Sequence, residues 1–444
     1  MTVYSKIKCD IQNDHYQEGE KIPSLRNLAS IHQCSLETIK KALHLLIEEN
    51  LLYSKDRSGY YVLQKAHTMP EISKNGVIDF TSSKANCITF PYSEFQWCLK
   101  KATENYKEEF FRYGKSQGLP ELIQTLQSWF STQQLYVKKE NLFITTGIQQ
   151  ALFILSRLTF PNKKNQILIE MPTYHLMLDL LKLENLPFLT IDRNARGIDW
   201  EKLEFYFKEH SIKFFYTTTR LSSPLGLSYS ESEKKKLVQL AQKYDVYIIE
   251  DDYLADYVTD STNQPLHFYD TSEHIIYLKS FSKIMFPGLR IGACLLPSQL
   301  VSSFQQYRAL LEIDSAMFSQ AALNLYIKSG LFDQHIKQTQ LLQEKRNQTF
   351  IEVSQNYQDL KLFNTDSFKS SKAFLTLPSI ISPSSFEKEL INQQVKLDDM
   401  NRHFLDNTSI KQNVYGLELF NVNTEQIKTG LAKIVDVYES IQNK

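Results

Sequence analysis

The sequence predicts a mixed α/β protein in two units: a short N-terminal unit of three helices and a hairpin, then a longer unit built on a mostly parallel sheet. Three observations lead there. Apolar residues near the start recur at helical spacing and give way to two short aromatic runs around Asp56-Arg57-Ser58-Gly59. Residues 65–78 lose all periodicity and carry Pro70, Ser73, Asn75 and Gly76, the composition of a linker. From residue 79 onward, apolar runs of strand length alternate with helical stretches, the pattern of a sheet covered on both faces.

The expected boundaries are therefore 1–64 for the first unit, 65–78 for the linker and 79–444 for the second. Strand-like runs thin out after about residue 331, which suggests a smaller α+β subdomain over 331–444. Composition agrees with ordinary globular domains: 444 residues, 42% hydrophobic and 23% charged, with a net charge of zero. Five scattered cysteines (Cys9, Cys34, Cys87, Cys98, Cys294) show no metal-ligand spacing and no disulfide framework. No signal-peptide pattern opens the chain, and no apolar run approaches the ~20 residues of a membrane span. The expectation is a soluble cytoplasmic protein with no metal and no membrane partner.

In the first unit, Tyr4, Ile7 and Ile11 mark one helix. Ser24, just after Pro23, can cap a second helix, and Ser35 a third. The third helix buries Ile39, Ala42, Leu43, Leu46 and Ile47 on one face. Leu52 to Leu63 reads as a hairpin. Three helices followed by a hairpin make a winged helix-turn-helix, whose second motif helix enters the major groove of duplex DNA. Ser35, Glu37, Thr38 and Lys41 then face the bases: Glu37 can accept from a cytosine amine, and Thr38 can touch a phosphate or a thymine methyl. Ser24 and Arg26 open the preceding helix, with Arg26 in reach of a phosphate or a guanine, and Arg57 and Gly59 lie at the wing tip. Charge is a weak guide, with nine basic against eight acidic residues up to residue 66.

This segment resembles the GntR family of bacterial regulators through Gly19-Glu20-Lys21-Ile22-Pro23-Ser24-Leu25-Arg26-Asn27-Leu28-Ala29, Ser35-Leu36-Glu37-Thr38-Ile39-Lys40-Lys41-Ala42 and Ser58-Gly59-Tyr60-Tyr61-Val62. Leu25 stands where the family often has a second serine, and Leu36 where it often has an arginine. The second change removes an expected DNA contact.

In the second unit, strands are expected at Leu142–Thr145, Gln166–Glu170, Lys213–Thr217, Val246–Glu250, Ile275–Leu278 and Ala293–Leu296. Helices are expected at Gln149–Leu158 and Glu231–Tyr244. Four segments at strand ends carry chemistry. Lys279-Ser280-Phe281-Ser282-Lys283, followed by Pro287-Gly288-Leu289-Arg290, puts amines, hydroxyls and a guanidinium together. Lys283 can form a Schiff base with an aldehyde, and Ser280, Ser282 and Arg290 can hold a phosphate, although the segment taken alone equally suits a surface loop. Thr145-Thr146-Gly147-Ile148 is a small-residue turn opening a helix, whose amides suit an anion. Ile248-Ile249-Glu250-Asp251-Asp252-Tyr253 ends an apolar strand in acids; Asp251 suits a pyridine nitrogen and Tyr253 a ring hydroxyl, although acids alone equally suit a metal or a helix cap. Tyr174, in Glu170-Met171-Pro172-Thr173-Tyr174, can stack on a ring, but a lone tyrosine there also suits a core.

Together these segments resemble the fold-type-I aminotransferases, which are dependent on pyridoxal 5'-phosphate, over roughly residues 79–444. The resemblance implies Lys283 as the Schiff-base lysine, Asp251 and Tyr253 as partners of the ring, and Thr146, Gly147, Ile148, Ser280, Ser282 and Arg290 as the phosphate cup. It also implies that Tyr113, in Arg112-Tyr113-Gly114-Lys115, reaches the phosphate of a neighbouring subunit, hence a homodimer. A winged helix fused to such a domain is the layout of the MocR subgroup of the GntR family (the GabR and PdxR type). There the large domain generally senses pyridoxal phosphate or an amine-bearing effector, and the head binds a double-stranded DNA operator.

Two departures bear on catalysis. Ser223 stands in Arg220-Leu221-Ser222-Ser223-Pro224-Leu225-Gly226 where aminotransferases usually carry an asparagine against the ring oxygen. Leu417-Glu418-Leu419 stands where the family commonly has Leu-Arg-Leu, whose arginine clamps the substrate carboxylate. A glutamate repels a carboxylate; Arg220 and Arg402 are the candidate substitutes. The leading expectation is a transcription regulator whose effector is pyridoxal phosphate or an amine, controlling vitamin B6 or amine metabolism. Two other readings stand beside it: an active aminotransferase carrying a DNA-binding head, and a cofactor-binding scaffold whose head binds a protein.

Overall fold

The computed structural model describes residues 3–12, 15–16, 19–48, 51–55, 58–62, 76–81, 90–222, 224–312, 316–363, 372–378, 380–405 and 414–442. The head consists of helices α1 (Val3–Gln12), α2 (Leu25–Ile31) and α3 (Leu36–Glu48) and strands β1 (Leu52–Lys55) and β2 (Gly59–Val62). Two hydroxyls set the helix starts. Ser24 Oγ accepts from the Asn27 amide at 3.3 Å, and Ser35 Oγ from the Thr38 amide at 3.1 Å, each satisfying a first-turn N–H. Ile39, Leu43 and Leu46 of α3 then close a small core with Ile7, Ile11, Ile22, Leu28, Leu52 and Val62. The hairpin is antiparallel, with Tyr53 opposite Tyr61, and Lys21 bridges to Tyr61.

After the head come β3 (Ile78–Asp79), α4 (Tyr92–Asn105), α5 (Pro120–Thr132), β4 (Leu142–Thr145), α6 (Ile148–Arg157), β5 (Gln166–Met171), α7 (His175–Leu183), β6 (Phe188–Asn194), β7 (Gly197–Ile198), α8 (Trp200–Glu209), β8 (Ile212–Thr217), α9 (Glu231–Tyr244), β9 (Tyr247–Asp251), β10 (Ile275–Ser280), β11 (Gly292–Leu295), α10 (Val301–Leu311) and α11 (Met317–Lys328). Eight strands form one sheet in the order β4-β11-β10-β9-β8-β5-β6-β7. The run from β10 to β6 is parallel, and β11 is antiparallel to both of its neighbours. Every residue of β8, β9 and β10 is buried, which explains their unbroken apolar runs. All six expected strands occur, with ends shifted by at most two residues. The edge strands β6 and β7 were not expected: the half-buried alternation of β6, with Asp192, Arg193 and Asn194, lacks the apolar signal of the central strands.

The C-terminal part adds α12 (Leu331–Gln355), β12 (Lys372–Thr376), α13 (Pro383–Asn392), β13 (Val395–Lys396), β14 (Asp398–Asp399), β15 (Val414–Glu418) and α14 (Thr424–Gln442). Its sheet has the order β12-β15-β14, and β13 pairs with β3. Ile78, the last residue of the segment read as a linker, is thus a buried strand residue, because its side chain and that of Phe80 fill the core of this subdomain. Residues 65–75 of that segment lie outside the described residues. Among the described residues no helix is long and apolar enough to cross a membrane.

Gly430 of α14 shows how tightly this core closes. A Cβ there would sit 2.6 Å from two ring carbons of Phe80, which is fully buried. Alanine gains about 1 kcal/mol of helix propensity over glycine, but the clash with an immobile ring costs about 1–3 kcal/mol or more. Overpacking is expected to win, so Gly430→Ala should lower the thermal unfolding midpoint of the full chain. An unchanged or raised midpoint would show that Phe80 can yield.

Candidate functional site

The site lies where β9 and β10 end and α6 begins. Beyond β10 the chain turns through Ser280 and Ser282, and Ser280 Oγ accepts from the Ser282 amide at 3.2 Å. Two lysines flank this turn and differ completely. Lys279 is buried, donates to Asp256 at 2.6 Å and lies over the Trp129 and Phe281 rings. Lys283 is half-buried, with its Nζ 3.7 Å from Glu418 Oε1. Burial lowers the Lys283 pKa; the Glu418 carboxylate opposes that and the Lys372 ammonium adds to it. A lowered amine pKa favours the neutral, nucleophilic form.

The acids ending β9 also separate. Glu250 accepts the Leu266 and His267 amides at 2.6 and 3.0 Å and the Thr219 hydroxyl. Asp252 is paired with Arg220 and accepts the Tyr277 hydroxyl at 2.8 Å. Asp251 accepts the Tyr216 hydroxyl at 2.6 Å on Oδ2, while its buried Oδ1 has no hydrogen-bond partner among the described residues. Burial, against the Tyr216 hydrogen bond, pushes the Asp251 pKa up to about 7. Of the three acids only Asp251 keeps an oxygen open to a bound ring nitrogen.

Arg220 also donates to the Asn263 carbonyl at 3.0 Å, so its guanidinium is committed to structure. This corrects the expectation that it substitutes for a carboxylate clamp: the Asp252 carboxylate, wholly buried one strand away, requires a cation of its own. Arg402 forms a two-oxygen pair with Asp398 at 2.8 and 3.1 Å.

At the start of α6, Gly147 has φ +73°, and a Cβ there would meet the Arg290 guanidinium at 3.1 Å. On the other side, a Cβ on Gly292 would lie 2.9 Å from the Ile148 nitrogen. Arg290 donates to the Thr146 carbonyl at 3.2 Å. Two glycines and an arginine therefore line the amide end of a helix, a cradle suited to an anion. The Thr146 hydroxyl turns elsewhere, donating to Glu312 at 2.5 Å beside Gln150 at 2.7 Å. In this arrangement the Thr146 hydroxyl is engaged by Glu312.

Tyr174 precedes α7, and its hydroxyl accepts from Gln149 at 3.1 Å. Burial raises its pKa, with the charges of Asp251, Arg290 and Arg402 acting on it as well. Tyr253 lies below Lys372, whose Nζ is 5.3 Å from the ring centroid. Ser223 and Arg57 lie outside the described residues. Tyr113 does not join the site of its own chain; it is 87% exposed. Gln149 and Lys372 were not foreseen. Gln149 stands in the same turn as Gly147, whereas Lys372 reaches the site only through its register opposite Glu418.

On the head, Arg26, Ser35, Glu37, Thr38 and Lys41 are all exposed. The Ser24 and Ser35 hydroxyls serve as helix caps, with Ser35 Oγ also 2.9 Å from Thr38 Oγ1. Gly59, φ +116°, lies against the Lys21 side chain.

Comparison with known proteins matches each half. Residues 1–62 match the bacterial regulatory proteins of the gntR family, and residues 89–400 match aminotransferase class I and II. The uncharacterized HTH-type transcriptional regulator YcxD of Bacillus subtilis is 40% identical over 435 residues, covering 97% of this chain and 98% of its own. The HTH-type transcriptional regulator NorG of Staphylococcus aureus is 24% identical over 74% of this chain and 80% of its own. Among solved structures, the multiple substrate aminotransferase of Thermococcus profundus superposes with a TM-score of 0.72 at 23% identity, over 84% of this chain and 93% of its own. LysN, the α-aminoadipate aminotransferase of Thermus thermophilus, does so with a TM-score of 0.74 at 20% identity, over 83% and 94%. These two likenesses show the fold. With both halves matched and a relative of the same two-part layout spanning nearly all of it, the chain belongs to the gntR family of bacterial regulatory proteins, in the MocR-type branch that carries an aminotransferase class I and II domain.

Proposed function

We propose that this protein is a cytoplasmic, homodimeric transcription regulator that binds a duplex operator through its head and pyridoxal 5'-phosphate through its large domain. The observation that carries this reading is the match of residues 1–62 to the gntR family together with the end-to-end likeness to YcxD, named as an uncharacterized HTH-type transcriptional regulator. The site residues support the cofactor. Asp251 Oδ1, buried and without a hydrogen-bond partner among the described residues, fits a protonated ring nitrogen, and the Gly147–Arg290 cradle fits a phosphate. Lys283 fits the aldehyde, and Tyr174 the ring face. When bound, the cofactor supplies an aldehyde for amine capture and a ring that withdraws electrons. Ser280 and Ser282 would add hydroxyls to the phosphate, and the exposed Tyr113 would come from the second copy.

An aromatic route supports coupling between the two units. Phe286, three residues beyond Lys283, meets Phe90 at 5.1 Å and Phe95 of α4 at 5.3 Å. Trp97 of the same helix meets Tyr53 of the wing at 4.6 Å. A ligand shifts the head only through different affinities for its arrangements, so a packed route from the lysine loop to the wing gives that difference a carrier.

Binding of a labelled duplex taken from upstream of the protein's own gene, with and without pyridoxal phosphate, tests the reading. Sequence-specific binding whose affinity responds to the cofactor is expected. Arg26→Ala should weaken it by about 1–3 kcal/mol if Arg26 reads a base. Equal affinity for unrelated duplexes, or indifference to the cofactor, would refute the regulator reading.

A further inference from the structure

We propose that Glu418 is the specificity-determining residue of the candidate site, and that it selects a small ligand carrying an ammonium group and no carboxylate. The inference rests on the reading that Lys283 takes up the cofactor aldehyde. Glu418 ends β15 opposite Lys372 of β12, and only 3% of it is exposed. Its Oε1 accepts no hydrogen bond among the described residues. Two ammonium groups stand just beyond bonding distance, Lys283 at 3.7 Å and Lys372 at 3.9 Å.

A buried carboxylate held this way is under-satisfied, because desolvation is offset only when charges approach and hydrogen-bond well. Once Lys283 is committed to the aldehyde, one of the two cations no longer answers Glu418. Lys372 stays 3.9 Å from Glu418 Oε1, with its ammonium over the Tyr253 ring. Glu418 Oε1 then presents a desolvated acceptor that an incoming ammonium satisfies directly.

The two arginines that could clamp a carboxylate are both engaged. Arg220 is committed to Asp252 and to the Asn263 carbonyl, and Arg402 to both oxygens of Asp398. A carboxylate entering beside Glu418 meets like charge with one lysine as its counterweight, and that lysine is shared.

Two probes of equal length separate the possibilities: 1,3-diaminopropane and β-alanine share an amine and a three-carbon span, and differ in an ammonium or a carboxylate at the far end. Each is titrated into the full-length protein loaded with pyridoxal phosphate, reading the visible band and the heat of binding. The diamine is expected to bind at least about tenfold more tightly, the ratio supplied by a charge-assisted hydrogen bond to a buried carboxylate. The isosteric Glu418→Gln should bring that ratio to about one, and Lys372→Met, which removes the competing ammonium, should widen it. Equal or tighter binding of β-alanine, or a preference that survives Glu418→Gln, overturns this proposal alone. If the wild-type protein mixed with pyridoxal phosphate shows no visible band, the cofactor reading falls and this proposal with it.

Discussion

Lys283→Ala is expected to abolish the visible Schiff-base absorbance of the protein mixed with pyridoxal phosphate, while the chain keeps its fold. Lys279→Ala is expected to do the opposite. The two lysines are four residues apart and chemically identical, but their surroundings assign them different work. Lys279 is 1% exposed and neutralises Asp256 at 2.6 Å inside the protein, so its removal leaves a buried carboxylate uncompensated. Breaking a buried pair in that way costs about 3–5 kcal/mol, enough to lower the unfolding midpoint markedly. Lys283 is half-buried and stands 3.7 Å from the Glu418 carboxylate, beyond hydrogen-bond distance. Its loss removes the amine proposed for the aldehyde and leaves no buried carboxylate without a close partner that it held before. Absorbance spectra and thermal melts of the two variants, run side by side, check both halves. A visible band retained by Lys283→Ala, or lost by a Lys279→Ala protein that is still folded, would reverse the assignment.

That contrast also marks what a sequence can and cannot reveal. The strand before the turn, the turn itself and the period-two alternation along β9 are local properties. They suffice to place Lys283 after a buried strand and to put Asp251 on the face opposite Glu250 and Asp252. The alternation explains the outcome: Asp252 meets Arg220 and Tyr277, Glu250 meets Thr219 and the Leu266 amide, and Asp251 meets Tyr216. Partners brought in by tertiary register are not local. Lys372 and Glu418 meet only because β12 and β15 pair antiparallel, and Glu312 reaches Thr146 across 166 residues. Arg220 read as a possible clamp because nothing near it in sequence discloses that Asp252 claims it. In the head, Ser24 and Ser35 were legible as caps because a helix start is a local event; which exposed residues of α3 meet bases depends on a duplex that the sequence does not contain.

Trp97→Ala is expected to leave cofactor binding and operator binding intact, and to abolish the dependence of one on the other. Coupling free energies between sites are typically about 1–3 kcal/mol, so the wild-type ratio of operator affinities with and without pyridoxal phosphate should be about 5- to 150-fold, and the variant's about one. The geometry gives the reason. Phe95 and Trp97 sit two residues apart on α4; one packs against Phe286 behind the Lys283 turn, the other against Tyr53 of the wing. Tyr53 is itself 3% exposed and stacks on Tyr61 at 5.4 Å, so the indole engages one face of the hairpin. Removing the indole deletes the only ring contact between α4 and the wing among the described residues, and leaves the cofactor groups and the exposed face of α3 untouched. Tyr53→Ala should have the same consequence, and the double variant should lose no more coupling than either single one, because both substitutions cut the same contact. Additive losses would mean that the two rings act through separate routes. A Trp97→Ala protein with the wild-type ratio would mean that the head is moved by another part of the molecule.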